Sequence, residues 1–384
     1  MQRRNILKIL GSSAVIMAAG GGGWALTRTP TAALAPWDMA GSADYADPRV
    51  RALSYAILAP NPHNRQPWVV DLGTPGEATL YCDLDRLLPA TDPFSRQIVI
   101  GLGCFLELLR QAAAEDGFLL DVTPFPEGED AAALDARPIA HIRFLEGARV
   151  QRDPLFAQVL ARRSNKETYD TSRGVSNDTL EVLRVAAGGG LSADATNDTA
   201  RVQSFRDLTW AALQIEMLTD YTMQESIDLM RIGKREINQN PDGIELGGAM
   251  FEALNIMGLM TREALEDETS TAFRQGLAIM ESHLMSAMAY IWVKTPGNSR
   301  VDQLNAGRAW VRINLKATEL GVGLHPLSQA LQEYPEMDAL FADMRDQAGV
   351  APGETLQMFG RLGYGPSAPR TPRWPVDTRI LGAS

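Results

Sequence analysis

Three segments of this chain gather groups able to hold a polar, anionic ligand. Arg162-Arg163-Ser164-Asn165-Lys166 places three cations and a hydroxyl within five positions. Guanidinium groups grip phosphate oxygens in pairs, and the hydroxyl and ammonium add donors. The plainer reading of such a run is a solvated charge cluster. Ala59-Pro60-Asn61-Pro62-His63-Asn64-Arg65-Gln66-Pro67-Trp68 is dense in hydrogen-bonding side chains, and its prolines would preorganise them. Its plain reading is a helix-to-strand loop. Arg361–Pro375 carries Arg361, Arg370 and Arg373 among Gly and Pro; it is either a binding segment or an unstructured end.

Composition narrows the chemistry. The 384 residues carry 36 Lys+Arg against 47 Asp+Glu, a net charge of -11. Such a surface repels nucleic-acid backbones, so a phosphate-bearing ligand could bind only where the basic residues converge. The cysteines are Cys82 and Cys104, without CxxC, which excludes a disulfide framework and a four-Cys zinc site. One bridge in an oxidising compartment and two buried thiols both stay open. His63, His141, His283 and His325 lack metal-ligand spacing, so no metal is expected. No Ser/His/Asp or Cys/His signature is present, so no catalytic residue is assigned.

The first residues read as an address. Arg3-Arg4 precede an uncharged stretch from Ile9 to Leu26, the pattern of a twin-arginine export signal. Gly20–Gly23 makes a stable membrane span a poorer reading. The expected location is therefore the periplasm, reached through the twin-arginine machinery. Ala33-Leu34-Ala35 is an A-x-A-like cleavage site, but Pro36 behind it is a poor substrate, which leaves an uncleaved tether open. The expected organisation is signal or tether over 1–35, linker over 36–46, a first half over 47–150 and a second half over 151–384. The second half carries a helical insertion and the basic tail.

Elements follow from pattern. Asp47-Pro48 opens a helix ending near Ala59-Pro60. Strands are expected at Trp68–Leu72, Ala78–Asp83, Leu119–Thr123 and Ile139–Phe144, around a long buried helix at Phe94–Asp116. In the second half, helices are expected at Pro154–Arg162, Ser176–Ala187, Phe205–Lys234 and Ala249–Leu265. A loop is expected at Gly188–Thr199, a strand at Tyr290–Lys294 and a second long helix at Gln303–Leu320. Without regular βαβ alternation the class is α+β. The glycines of Ile100-Gly101-Leu102-Gly103-Cys104-Phe105-Leu106 lie inside a helix and are no dinucleotide fingerprint.

The APxxxNxQPW pattern at Ala59–Trp68 and the RRSxK pattern at Arg162–Lys166 resemble the two signature segments of the FMN-dependent nitroreductases. Arg361-Leu362-Gly363-Tyr364 followed by Pro369-Arg370-Thr371-Pro372-Arg373 is similar to that family's closing GY…PR segment. Leu320–Ser328 fits its glycine turn beside the flavin. The resemblance runs from Asp47 to Arg373 by segment order. Ordinary members are homodimers with the RRS segment first; here it comes second, so each half keeps one complementary part. That resembles the single-chain, two-repeat Acg-like subfamily, with the long helices as equivalents near a pseudo-twofold axis.

The resemblance implies one FMN and a nitroreductase-like α+β fold. Arg162, Arg163, Ser164 and Lys166 would hold its phosphate and ribityl or pyrimidine edge. Pro60, Asn61, His63 and Asn64 would border the isoalloxazine. Ser328 and Gln329 would lie near N5, and Arg370 and Arg373 would close over the phosphate. It further implies hydride transfer between flavin N5 and a small organic substrate, in a chain that completes its own site as a monomer. Relatives draw on NAD(P)H, which an exported protein would lack; the alternative is an exported flavin-binding or flavin-sequestering protein without turnover. The Met-rich Gln214–Met260 would then be a lid, or else plain helical core.

Overall fold

A computed structural model describes residues 27–147, 150–188 and 190–382. The Arg3-Arg4 signal expected from the sequence lies outside these residues. The described chain opens with helix α1 (Thr31–Met39), which corrects the expected linker. The linker reading rested on Pro, Ala and Gly composition, but Ala33, Pro36 and Trp37 face inward and pack on the body. Helix α2 (Pro48–Ala56) starts as expected: the Asp47 carboxylate accepts the Arg49 N–H, and Pro48 supplies a helix-ready φ.

Strands β1 (Trp68–Asp71) and β2 (Glu77–Cys82), helix α3 (Arg96–Glu115), and strands β3 (Phe118–Pro124) and β4 (Ala140–Glu146) complete the first half. Its antiparallel sheet has the order β1-β2-β4-β3. The chain then makes a short 3-10 turn at Pro154–Gln158 where a helix to Arg162 was expected. Arg162–Lys166 is thereby left as a strap, which the Asn165 N–H bonds to the Leu324 carbonyl.

Helix α4 (Asn177–Ala186) is capped by Ser176. Strand β5 (Ser192–Thr196) follows inside the expected loop; its small and polar residues carry little strand signal, and its pairing with β8 (Ala289–Thr295) makes it a strand. Between these strands lie α5 (Thr199–Leu218), α6 (Asp220–Asp228), β6 (Met230–Ile232), α7 (Gly233–Gln239), β7 (Ile244–Leu246), α8 (Ala249–Ile256), α9 (Arg262–Glu266) and α10 (Thr271–Met285). The helix expected at Phe205–Lys234 therefore breaks at Thr219 and ends in a strand. Helix α11 (Arg300–Glu319), strand β9 (Gly323–Pro326), helix α12 (Asp338–Gln347) and strand β10 (Thr355–Gly363) finish the α+β fold.

The second sheet has the order β5-β8-β10-β9, the same connectivity as the first. Helices α3 and α11 each span 20 residues, run from Arg to Glu, and pack against one another at the centre. A Cβ on Gly103 would collide with the Leu304 carbonyl, and one on Gly307 with the Ile100 carbonyl. Each helix thus offers a glycine to the other's backbone, one turn from the residue it receives. Helix α3 is apolar enough to cross a membrane by composition, yet it lies buried within the protein. Cys82 and Cys104 are buried free thiols, and burial pushes both up to about 12.

Candidate functional site

The loop after α2 folds on its own side chains. Asn61 precedes Pro62 and is extended, at φ -155°. Its Nδ2 donates to the Ala59 carbonyl (3.1 Å), and its Oδ1 accepts the Gln66 N–H (2.7 Å). Asn61 therefore shapes the loop. His63, Asn64 and Gln66 take left-handed φ values of 44°, 51° and 52°. Such geometry costs about 1–2 kcal/mol at a residue with a Cβ and persists only where neighbours over-determine it.

Those neighbours come from the far end of the chain. Gln66 Nε2 donates to Pro241 O (2.7 Å), and its Oε1 accepts the Trp374 N–H (2.9 Å). Asn64 Nδ2 donates to Pro372 O (3.1 Å), and its Oδ1 accepts from Arg373 Nη1 (2.8 Å). The first-half loop is thus clamped by second-half segments.

Four arginines converge beside it. Arg162 Nη2 donates to Leu58 O (2.9 Å), and Arg373 Nη2 reaches the same oxygen (3.3 Å). Arg373 also donates to Ile57 O (2.9 Å) and Ala59 O (3.2 Å). These carbonyls lie at the end of α2, where the helix dipole favours cations. Arg163, Arg373 and Arg370 stand 4.6, 5.6 and 5.8 Å from the centre of the Trp37 ring. Arg370 pairs with Asp38 on the surface (2.6 Å). Arg162 and Arg373 are buried, and burial first and neighbouring arginines second lower them to about 10 and about 9. Arg162 Nε and Nη1 and Arg163 Nε are buried without partners among the described residues.

A second polar cluster adjoins the first through Lys166. Lys166 keeps accessible surface although protein groups crowd round it. Burial lowers its ammonium, against the pull of Glu245 and Glu216. Burial raises Glu245 to about 7, opposed by Lys166 and Arg373. Glu216, on the buried side of α5, is also raised by burial; Gln332 and Gln329 bond its carboxyl and oppose the rise. His63 Nε2 lies 3.9 Å from Glu216 Oε1, and burial, then Lys166 and Arg65, lower His63 to about 4. His63 Nδ1 and Glu216 Oε2 are buried and have no partner among the described residues.

The structure therefore brings His63, Asn64, Arg162, Arg163, Lys166, Gln329 and Arg373 into two adjoining clusters. Pro60, Ser164 and Ser328 are half-buried beside them along the chain. Sequence reasoning missed Trp37, Glu216 and Glu245. A lone carboxylate in Ile215-Glu216-Met217-Leu218 and a Trp in a linker-like stretch were the available signals. A cavity of ≈ 390 Å³ elsewhere is lined by Met217, Tyr221, Met223 and Glu268 among others, and by none of the expected site residues.

No family model matches the chain. It is 24% identical over 338 residues to "Putative NAD(P)H nitroreductase acg" of Mycobacterium tuberculosis strain H37Rv, covering 85% of this chain and 93% of that one. It is 24% identical over 335 residues to "Putative NAD(P)H nitroreductase Rv3131" of the same strain, covering 84% of this chain and 87% of that one. Among solved structures, the FMN-dependent nitroreductase NfnB from Mycobacterium smegmatis in complex with NADPH aligns at 18% identity. That alignment has a TM-score of 0.34 and covers 54% of this chain and 86% of NfnB. Across most of its length, then, the sequence is similar to two mycobacterial proteins that carry a nitroreductase name.

Proposed function

We propose that this chain is an FMN-dependent oxidoreductase of the nitroreductase type acting on a small organic acceptor. The carrying observation is the arginine cluster where the two halves meet. Buried guanidiniums that lower one another's proton affinity call for an anion among them. Glu245 opposes the lowering at Arg373, whereas Arg162 and Arg163 are lowered by burial and by a neighbouring arginine each. A phosphate monoester would supply the missing negative charge and acceptors for the orphaned Arg162 and Arg163 nitrogens. The residues present fit FMN in this respect.

In this reading Arg162, Arg163, Ser164 and Arg373 bind the phosphate, and Arg370 reinforces it from the surface. Lys166 donates to the pyrimidine edge, its charge balanced by Glu245. Pro60, Asn61, His63 and Asn64 wall the ring from the first half; Ser328 and Gln329 approach from the second. The bound flavin supplies hydride transfer, and the protein supplies orientation and electrostatics. His63, whose proton affinity burial lowers to about 4, adds no positive charge to this wall at neutral pH. The identical sheet connectivities and the matched helices α3 and α11 support reading the halves as two repeats that complete one site within a monomer. Arg3-Arg4 and the apolar stretch behind them support export to the periplasm.

The test is purification of the full chain, followed by its absorbance spectrum and identification of any released flavin. Protein carrying FMN, then reduced by dithionite without oxygen, should be reoxidised rapidly by a quinone or a nitroaromatic. Protein that neither carries FMN nor binds it on titration would overturn the proposal.

A further inference from the structure

We propose that helix α1, through Trp37, forms a wall of the phosphate site, and that residues 31–39 belong to the working protein. This rests on reading the arginine cluster as that site. The Trp37 indole is 1% exposed, and its Nε1 donates to Thr371 O at 2.8 Å. Its ring meets guanidiniums from two distant segments: Arg163 from the strap, and Arg370 and Arg373 from the tail. An aromatic face attracts cations through its quadrupole, and more strongly when both are desolvated. A purely apolar anchor would be seated among aliphatic side chains; this one gathers like charges that would otherwise repel. The same helix contributes Asp38 to Arg370.

The backbone of α1 sets the position of the tail. The Ala33 N–H donates to Asn238 Oδ1 (3.0 Å), and the Arg373 N–H donates to Ala33 O (2.9 Å). Arg373 is thus fixed by α1 at its main chain while its guanidinium spans Asn64 and the end of α2. Cutting after Ala35 would remove the Ala33 carbonyl and leave Trp37 as the second residue of the new chain. Processing of an exported chain therefore has to fall upstream of Thr31. Trp37 acts through the arginines and is a positioning residue.

The experiment uses the full chain and two substitutions, Trp37→Leu and Trp37→Phe. FMN and riboflavin binding are measured by fluorescence titration and by release on dilution. Riboflavin lacks the phosphate, so it separates a phosphate-site effect from general loosening. Trp37→Leu should weaken FMN binding about tenfold or more and leave riboflavin binding unchanged. Trp37→Phe, which keeps a ring, should recover most of the loss. Equal weakening of both ligands, or FMN binding unchanged in Trp37→Leu, would overturn the inference. Should Trp37→Leu fail to fold, chymotrypsin cleavage within residues 31–39 of the unsubstituted chain decides. FMN should slow that cleavage, and an equal rate with and without FMN overturns the proposal. Failure of the unsubstituted chain to bind FMN would count against the functional reading; retention of FMN by Trp37→Leu would count against this inference alone.

Discussion

Replacing Arg162 by methionine separates a structural brace from an anion ligand. Arg162 is 3% exposed and, among the described residues, donates to Leu58 O and leaves Nε and Nη1 unpartnered. Burial, with Arg163 adding to it, lowers its guanidinium from 12.5 to about 10. The charge therefore costs the ligand-free protein about 3 kcal/mol at neutral pH. Methionine keeps most of the stem volume and loses one charge-assisted hydrogen bond, worth about 1.5–3 kcal/mol. Leu58 O retains Arg373 as a donor. The two contributions nearly offset, so FMN-free Arg162→Met should unfold at a urea concentration equal to or above that of the parent. Loss of the charge-assisted contact should weaken FMN about 10- to 150-fold. Urea unfolding without ligand and fluorescence titration with FMN read the two effects separately. Destabilisation beyond about 2 kcal/mol with unchanged FMN affinity would refute the reasoning and make Arg162 a brace.

Gly103→Ala should force α3 and α11 apart, because its methyl would meet the Leu304 carbonyl; a loss of about 3 kcal/mol or more in chemical unfolding is expected, and Gly307→Ala should cost a similar amount. In the FMN-free protein, neutral His63 contributes stability that is complete above pH 6.5 and is lost as pH falls through about 4. The unfolded chain takes up that proton first, so the loss reaches about 3 kcal/mol. His63→Phe should flatten this part of the acid limb relative to the parent in urea midpoints between pH 7 and 4. Unchanged steepness would show that other groups, such as half-buried His325, set the acid response.

Local signals located most elements of the fold. Asp47-Pro48 and Ser176 start helices because capping is a matter of adjacent residues. The long helices and the strands flanking them were legible from periodicity. Strand β5 was not, because Ser192-Ala193-Asp194-Ala195-Thr196 has little intrinsic preference and takes its conformation from β8. Helix α1 was read as a linker because Pro36 and the surrounding small residues outweighed Trp37, whose partners lie more than 120 positions away.

The candidate site divides along the same line. The sequence alone determined which segments carry cations and hydrogen-bonding side chains, since those properties belong to residues and short spacings. Tertiary structure decided how they are used. Asn61 spends its amide within its own loop, whereas Asn64 reaches the tail. Arg162 and Arg373 meet on one carbonyl, Leu58 O, just past the end of α2. Glu216 and Glu245, which no motif marked, act on the Lys166 charge. Charge and conformation are local, but burial and proximity depend on which distant segments the core draws together, and these set whether a cation is solvated, paired or waiting for an anion.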